Sequence, residues 1–236
     1  MEVIVDLFNQ HSGDVDELKR MALSAHLAGA DAVKLQLLNS VQIWGDESRK
    51  HLELTFTQVR NIYDFCAKHG IRIFSTVFDE RGLGWTEQLQ AERYKLASCT
   101  VRDDPEFCKK VIALGKETII STGFAPVDQF PFGFKDNIKY LFCVSEYPTL
   151  LFSERLKEMP KDFLESGCIG YSDHAIGIGA ALLAYTRGAD ILEKHFTHDN
   201  NAVVHPSEKA HLGAFTPESL RLFKNLTREM DAIRGE

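Results

Sequence analysis

The sequence predicts a (β/α)8 barrel, or TIM barrel, in which residues 1–236 form a single domain. Short apolar runs alternate with amphipathic helical segments, a pattern typical of βα units that build a parallel sheet. Eight such runs are found, and eight parallel strands are the number that closes a barrel of this kind. A hydrophobic content of 44% over 236 residues is enough to fill one large core.

The predicted strands are short apolar runs separated by stretches long enough to hold a helix. The first run, Val3-Ile4-Val5-Asp6-Leu7, lies almost at the start of the chain, so we expect no signal peptide before it. The predicted strands span residues 3–7, 31–37, 71–77, 93–97, 117–121, 138–144, 168–171 and 189–194.

Helical spacing of apolar residues is clear in most of the connections between these strands. Four predicted helices end just before a glycine, which is the residue expected at a helix C-terminus. A final helix is predicted from about Pro217 to Ile233, with Thr216 as its N-cap. The four helices that precede a glycine are Val15–Ala28 before Gly29, Phe56–His69 before Gly70, Pro105–Leu114 before Gly115 and Ile176–Arg187 before Gly188.

One connection departs from this pattern. Between Ser121 and Ile138 two prolines and a glycine interrupt any helix, so we expect an irregular or very short fifth helix. Its aromatic residues either cover the barrel wall or form a partner surface, and the first interpretation is preferred. These residues are Phe130, Phe132 and Phe134.

Composition narrows the classes of function. The chain has 27 basic and 34 acidic side chains, a net charge of -7 and no basic run, which argues against nucleic-acid binding but not against a small anionic ligand. No apolar run approaches the roughly 20 residues of a membrane span. The odd number of cysteines without CxxC spacing predicts reduced, mostly buried thiols in a cytoplasmic protein. They are Cys66, Cys99, Cys108, Cys143 and Cys168.

Two histidines are the strongest functional signal. His174 follows the seventh predicted strand and His195 follows the eighth, so both are expected at the C-terminal ends of neighbouring strands, where barrels keep their active sites. Two imidazoles there can share one metal ion and leave positions for water or substrate oxygens. Whether Glu193, Asp173 or Asp6 adds a ligand stays open, as does a ligand or proton-transfer role for His198, His205 and His211. His26, His51 and His69 lie on or beside predicted helices and are interpreted as structural.

Lysines and hydroxyls also fall at predicted strand ends. Lys34 and Gln36 share one face of the second strand, and burial against an apolar helix layer would be costly, so both are expected to face the barrel mouth. Lys95 lies in the fourth strand. With the hydroxyls of Thr76, Ser98, Ser145 and Ser172, these residues predict a pocket for phosphate and carboxylate oxygens.

Together these motifs resemble the sialic acid synthase family, whose members condense phosphoenolpyruvate with an N-acyl hexosamine to give nonulosonic acids. The resemblance runs from Val3 to about Leu220. It rests on the stretches Ile4-Val5-Asp6-Leu7-Phe8-Asn9-Gln10-His11-Ser12-Gly13, Gly29-Ala30-Asp31-Ala32-Val33-Lys34-Leu35-Gln36, Phe74-Ser75-Thr76, Lys95-Leu96-Ala97-Ser98, Ser121-Thr122-Gly123, Cys143-Val144-Ser145-Glu146-Tyr147-Pro148, Gly170-Tyr171-Ser172-Asp173-His174 and Glu193-Lys194-His195-Phe196-Thr197.

The resemblance implies a C–C bond-forming transferase of carbohydrate biosynthesis and a role for each site residue. His174 and His195 would bind a divalent metal, typically manganese, with magnesium or cobalt as alternatives. Asp6 stands where the family usually has a glutamate near the sugar, and we expect Lys34, Lys95, Asp6 and His195 to take part in catalysis. The implied phosphoenolpyruvate contacts are Lys34, Thr76, Lys95, Ser98, Ser145 and Ser172, and the implied sugar contacts are Gln36 and Tyr147.

Several departures from the family pattern concern its sugar half. The family's Gly-Pro-Asp-His run reads His205-Pro206-Ser207-Glu208 here, and Thr100 replaces a usual acidic residue. The connection from Asn39 to Glu53 is short for the family. The family's C-terminal antifreeze-like domain has no counterpart before Glu236, so a homodimer or a separate subunit is expected in its place. These departures favour a related condensation on a different, smaller or less acylated acceptor.

Two alternatives to the condensing enzyme stay open. A Schiff-base aldolase or lyase would use Lys34 or Lys95 as its nucleophile. A non-catalytic or partner-dependent relative would bind metal and a phosphorylated ligand without turning it over, and the altered sugar half favours this reading. The acceptor sugar, the metal and the oligomeric state do not follow from the sequence.

Overall fold

The computed structural model of the protein describes residues 1–126 and 128–235. Eight parallel strands pair in chain order, and β1 also pairs with β8, so the sheet closes into a barrel. The predicted (β/α)8 fold is confirmed. The strands are β1 Glu2–Asp6, β2 Ala32–Leu37, β3 Ile73–Val77, β4 Arg93–Leu96, β5 Glu117–Ser121, β6 Ile138–Cys143, β7 Gly170–Asp173 and β8 Ile191–His195.

The helices surround the barrel. The predicted helices before Gly29, Gly70 and Gly115 end within two residues of their predicted ends, and Thr216 caps the last helix as predicted. The helix before Gly188 begins at Gly179 rather than Ile176, because Gly177 takes a φ of 78°, which a helix cannot contain. The helices are α1 Val15–Leu27, α2 Ser40–Trp44, α3 Phe56–Lys68, α4 Glu80–Gln88, α5 Ser98–Asp103, α6 Pro105–Ala113, α7 Glu154–Lys157, α8 Gly179–Thr186 and α9 Pro217–Arg234, with a 3-10 turn at Lys50–Leu52.

The connection between β5 and β6 is irregular, as its prolines predict. No helix forms among its described residues, and Val127 lies outside the described part of the chain. Phe130 and Phe132 pack against the core and confirm the covering role. That prediction is wrong for Phe134, which is 69% exposed and packs its ring at a tilt against that of Phe130, 4.8 Å between centroids.

Side chains inside the barrel form layers of different chemistry. At the N-terminal end, Arg93 reaches across the barrel axis to Glu2 of β1 and packs over the ring of Phe74. Above it lies a dry apolar layer, and above that a layer of buried charged and polar groups at the C-terminal end of the strands. The apolar layer consists of Ile4, Ala32, Phe74, Ile119, Leu141 and Ile191.

The outer core lies between the strands and the helices. It is built from the outward side chains of the strands and the inner faces of the helices, for example Leu18 and Met21 of α1 and Val59 and Ile62 of α3. Among the described residues, no helix is both long and apolar enough to cross a membrane.

Candidate active site

Lys34 stands at the centre of the charged layer. Its ammonium group donates to Asp6 Oδ2 at 2.5 Å and to Thr76 Oγ1 at 2.7 Å, and it lies 3.4 Å from Glu193 Oε1. Gln36 donates to the same Asp6 oxygen at 2.8 Å. Lys34 and Gln36 thus share the inner face of β2, as strand alternation predicts.

Lys95 forms the second half of this layer. Its ammonium group donates to Ser121 Oγ at 2.7 Å and to the carbonyl of Leu96 at 3.1 Å. Glu193 Oε2 lies 3.5 Å from Lys95 and accepts a hydrogen bond from Ser172 Oγ at 2.7 Å. One carboxylate, Glu193, therefore lies between two lysines, with one oxygen turned toward each.

Burial and charge compete in this layer and set the ionisation of its members. Burial alone would lower the pKa of Lys34, but the Asp6 and Glu193 carboxylates outweigh it and raise that pKa. Burial lowers the pKa of Lys95, and the Glu193 carboxylate offsets that lowering only in part. Burial would raise the pKa of Asp6 and of Glu193, but the lysines hold both below their ordinary range. The carboxylates are therefore ionised at neutral pH.

A small cradle of hydrogen-bond donors lies beside Lys95. The amide of Gly123 donates to Ser98 Oγ at 2.9 Å, and the buried hydroxyl of Ser145 has no hydrogen-bond partner among the described residues. A Cβ atom at Gly123 would lie 2.2 Å from Ser145 Oγ and 2.9 Å from Ser98 Oγ. Only glycine leaves this space open, and an unpartnered buried hydroxyl is ready to bind an anion's oxygen.

His174 and His195 stand together at the barrel mouth, with ring centroids 5.5 Å apart. His174 Nδ1 donates to the carbonyl of Val144 at 2.8 Å, and His195 Nδ1 donates to the carbonyl of Phe8 at 2.7 Å. Because a carbonyl only accepts, Nδ1 carries the proton in both rings and Nε2 keeps its lone pair. Hydrogen bonds of this kind orient metal-binding histidines.

This donor set fits a divalent metal held by two imidazoles. Within the described residues, no group of three or more His, Cys, Asp or Glu side chains is arranged to hold a metal ion. A metal at these two histidines would therefore take its remaining ligands from water or substrate. The carboxylates named as further ligands are engaged elsewhere: Asp6 and Glu193 with the lysines, and Asp173 on the outer side of the wall with Lys194, 2.7 Å away.

Of the other substrate contacts named from the sequence, Gln36, Ser98, Ser145 and Tyr147 line the same mouth, whereas Thr76 and Ser172 are hydrogen-bonded within the charged layer. The Tyr147 ring packs 4.2 Å from that of His174, and His211 packs 4.3 Å from His195, both between centroids. Burial lowers the pKa of His211 to about 4. His198 binds Glu17 on the surface and His205 stacks on His51, so neither approaches the histidine pair. A cavity of about 700 Å³ opens here; its lining includes Gln36, Ser98, Ser145, Tyr147, His195 and His211.

Three residues hold positions in this site that the sequence did not predict. Glu193 joins the two lysines, Ser121 holds Lys95, and the Gly123 amide forms the cradle. Strand alternation could have found Glu193, because it lies two residues before His195 on the same strand face. The cradle gives no such signal, because it depends on how β4, β5 and β6 end in space.

Comparison with known proteins places the chain in a family. The NeuB family pattern matches residues 21–236. The chain is 28% identical over 264 residues to the N,N'-diacetyllegionaminic acid synthase of Campylobacter jejuni, covering 99% of this chain and 77% of that protein. It is 28% identical over 244 residues to the N-acetylneuraminate-9-phosphate synthase of Mus musculus, covering 89% of this chain and 67% of the mouse protein.

A solved structure shares both the fold and detectable sequence similarity. The N-acetylneuraminic acid synthetase of Leptospira borgpetersenii superposes with a TM-score of 0.87 at 26% identity, covering 99% of this chain and 85% of that one. Because the family pattern spans nearly the whole chain, membership does not depend on any single motif. The chain belongs to the NeuB family.

Proposed function

We propose that this chain condenses phosphoenolpyruvate with the aldehyde of a sugar, giving a 3-deoxy-2-keto sugar acid and inorganic phosphate. The observation that carries the proposal is the closed charged layer, in which Lys34 and Lys95 lie beneath the histidine pair and beside an open cradle of donors. The synthase names of its relatives support the same reaction class.

The lysines and the cradle would hold phosphoenolpyruvate. Lys34 and Lys95 neutralise its phosphate and carboxylate, which allows a second substrate to approach the enol carbon. The Ser145 and Ser98 hydroxyls would donate to phosphate oxygens, since that of Ser145 has no other partner in the part of the chain that the structure describes. Thr76 and Ser172 keep Lys34 and Glu193 in place through hydrogen bonds of 2.7 Å each.

The bonds change in two stages. C3 of phosphoenolpyruvate attacks the aldehyde carbon, the aldehyde oxygen takes up a proton, and water adds at C2. The C2–O bond to phosphate then breaks as the C2 hydroxyl becomes the keto group, and the hydroxyl proton passes to the leaving phosphate. Glu193 would accept the proton of the added water, and Lys95, whose pKa burial lowers, would be the nearby acid.

His174 and His195 would hold a divalent metal, most simply manganese, with magnesium or cobalt as alternatives. When bound, such an ion supplies Lewis-acid polarisation of the aldehyde oxygen. Gln36, held on Asp6, and Tyr147, packed on His174, would orient the sugar. The second substrate would therefore enter from the mouth of the barrel, above bound phosphoenolpyruvate.

Phosphate release tests the proposal directly. Phosphoenolpyruvate and manganese are incubated with N-acetylmannosamine, its 6-phosphate, diacetamido hexoses and simple aldoses in turn. We expect release that requires one sugar and is lost in His174→Ala but not in the surface control His198→Ala. Binding of manganese and phosphoenolpyruvate without release from any sugar would instead indicate a non-catalytic or partner-dependent relative.

The lowered pKa of Lys95 favours a second candidate, a Schiff-base aldolase, because a neutral amine is the nucleophile in that chemistry. Its ammonium group, however, is already engaged by Ser121, Leu96 and Glu193. Borohydride reduction in the presence of pyruvate separates the two reactions. A mass increase trapped on Lys95 would favour the aldolase over the condensing enzyme.

A further inference from the structure

The loop that follows β8, residues 196–216, is fixed on the histidine pair at its base. Phe215 N donates to the carbonyl of His195 at 2.7 Å, and Thr197 N donates to the carbonyl of Phe215 at 2.9 Å. A Cβ atom at Gly213 would lie 2.4 Å from the carbonyl oxygen of His174. The C-terminal part of the loop therefore passes directly over both histidines.

The outer end of the same loop is fixed to the connections that follow β1 and β2. The buried carboxylate of Glu208 accepts a hydrogen bond from the Asn9 side chain and lies 3.7 Å from Arg49 and 3.6 Å from His51. His205 stacks on His51 with ring centroids 3.7 Å apart and planes 12° apart. With both ends held, the segment between them forms one wall of the cavity.

His211 is the residue of this wall nearest the histidine pair. Its ring packs on that of His195 and lines the cavity. Neither of its ring nitrogens hydrogen-bonds to any residue in the described part of the chain. Both nitrogens are therefore available to a molecule bound in the cavity. Within the described residues, His211 is not grouped with His174 and His195 as a three-ligand metal site.

We propose that His211 contacts the second substrate and recognises a polar group on the carbon next to its aldehyde, a hydroxyl or an acylamino group. The inference rests on the proposed function for the presence of an aldehyde at the histidine pair. The His211 ring packs against that of His195 and lines the cavity, so it would lie beside the carbon that neighbours an aldehyde bound at the histidine pair. The contact would therefore favour an aldehyde with a polar α-substituent over one that lacks it.

Nuclear magnetic resonance of ring-labelled histidine tests this contact without turnover. The full chain is prepared with magnesium and phosphoenolpyruvate, and N-acetyl-D-mannosamine, D-mannose or 2-deoxy-D-glucose is added. The last sugar has no polar group at C2. The His211 resonance is assigned by its loss in His211→Asn, and His198 on the same loop is the internal control.

We expect a saturable shift of the His211 resonance with N-acetylmannosamine or mannose, at least tenfold weaker with 2-deoxyglucose, and no shift of His198. No response to any of the three sugars, or an equal response to 2-deoxyglucose, overturns the inference. Phosphate measured in the same samples keeps the two proposals apart: a selective ring response without phosphate release supports the contact and contradicts the condensation. Phosphate release without a ring response contradicts the contact and supports the condensation.

Kinetics of a substituted protein supply the second test. If any of these sugars is condensed, His211→Asn is expected to reduce at least tenfold the preference for it over 2-deoxyglucose, with the KM for phosphoenolpyruvate unchanged. A preference that is unchanged in His211→Asn would show that another residue reads this position. Circular dichroism melting of both proteins confirms that the loop substitution leaves the barrel folded.

Discussion

At the scale of single residues, the Glu193 carboxylate offsets the repulsion between two buried lysines. Its oxygens lie 3.4 Å from Lys34 and 3.5 Å from Lys95, inside a layer that solvent barely reaches. Like charges repel strongly at low dielectric, and one carboxylate between them offsets that repulsion. An incoming phosphate or carboxylate could do the same, so the layer is already suited to bind an anion.

Replacing this carboxylate should make the protein depend on an anion. Glu193→Gln is expected to lower the free energy of unfolding at pH 7 by about 3 kcal/mol, because it leaves buried charge without its partner. Added inorganic phosphate should restore part of that loss, and more than it stabilises the parent protein. Urea unfolding with and without phosphate measures both effects, with the exposed Glu229→Gln as control. Equal stabilisation of parent and variant by phosphate would contradict this account.

His11 gives the protein a specific sensitivity to acid. It is buried behind Phe8, and its Nδ1 accepts a hydrogen bond from Gly13 N at 2.9 Å, so the neutral ring is the form that fits. Burial lowers its pKa from 6.5 to about 4. The unfolded chain therefore binds more protons than the folded one between these values, and stability falls as the pH drops below about 6.5.

The contribution of His11 can be isolated by substitution. Between pH 7.5 and pH 5, His11 should account for a loss of about 2 kcal/mol of unfolding free energy. His11→Asn, which cannot titrate, should lose that much less over the same interval, whatever its stability at pH 7.5. Chemical unfolding at both pH values measures the difference, and His69→Asn on the surface serves as control. Parallel losses in parent and variant would show that other groups cause the acid sensitivity.

At the scale of elements, strand alternation predicts which side chains of a single strand face into the barrel. It does not predict the contacts between residues at the ends of several strands. Lys34 and Gln36 on β2, and Lys95 on β4, face inward as their spacing indicates. The Gly123 cradle joins residues from the ends of β4, β5 and β6, and no local pattern encodes that meeting. Helix α8 likewise began later than its apolar pattern suggested, because a turn at Gly177 overrides periodicity.

The cradle predicts a strong effect from one added methyl group. Gly123→Ala should lower kcat/KM for phosphoenolpyruvate by about 100-fold, because the new Cβ displaces the Ser145 and Ser98 hydroxyls from their positions. Its cost in stability should be only about 1–2 kcal/mol, since hydroxyl rotation relieves the contact. Calorimetric titration with phosphoenolpyruvate measures the binding loss even without turnover.

Gly84→Ala is the matched control for that substitution. Gly84 lies in α4, and a Cβ atom there meets nothing within 4 Å. The change should leave phosphoenolpyruvate binding intact and stabilise the helix by about 0.5–1 kcal/mol. Wild-type binding by Gly123→Ala would show that the anion does not use this cradle.

At the scale of the whole molecule, the order of strands and helices could be predicted from the sequence, but the position of the loop that covers the site could not. Eight strands with helical spacers leave few topologies, and the barrel is the one in which every strand finds two neighbours. The loop after β8 was predicted only as a stretch with three histidines of open role. Its position over the mouth depends on the contacts of Glu208 and Gly213 with distant parts of the chain.

Residues expected to stabilise the barrel lie at its N-terminal end, and those proposed for the chemistry lie at its C-terminal end. Substitutions at two residues of β4 test this separation within one strand. Arg93 and Lys95 both face inward, two residues apart, but Arg93 binds Glu2 and Glu117 at the N-terminal end. Arg93→Met should lower the free energy of unfolding by about 2 kcal/mol, less than for a fully buried pair because both carboxylates are partly exposed. It should leave the kinetics of phosphate release unchanged.

Lys95→Met should show the opposite behaviour. Glu193 keeps Lys34 and Ser172 as partners, and methionine fills the space of the lysine stem, so the stability should change by less than about 1 kcal/mol. Phosphate release should fall at least about 100-fold, because the charge that neutralises the substrate is gone. Unfolding curves and phosphate release measured on both variants decide the matter. Equal losses of activity in the two variants would show that the two ends of the barrel are not independent.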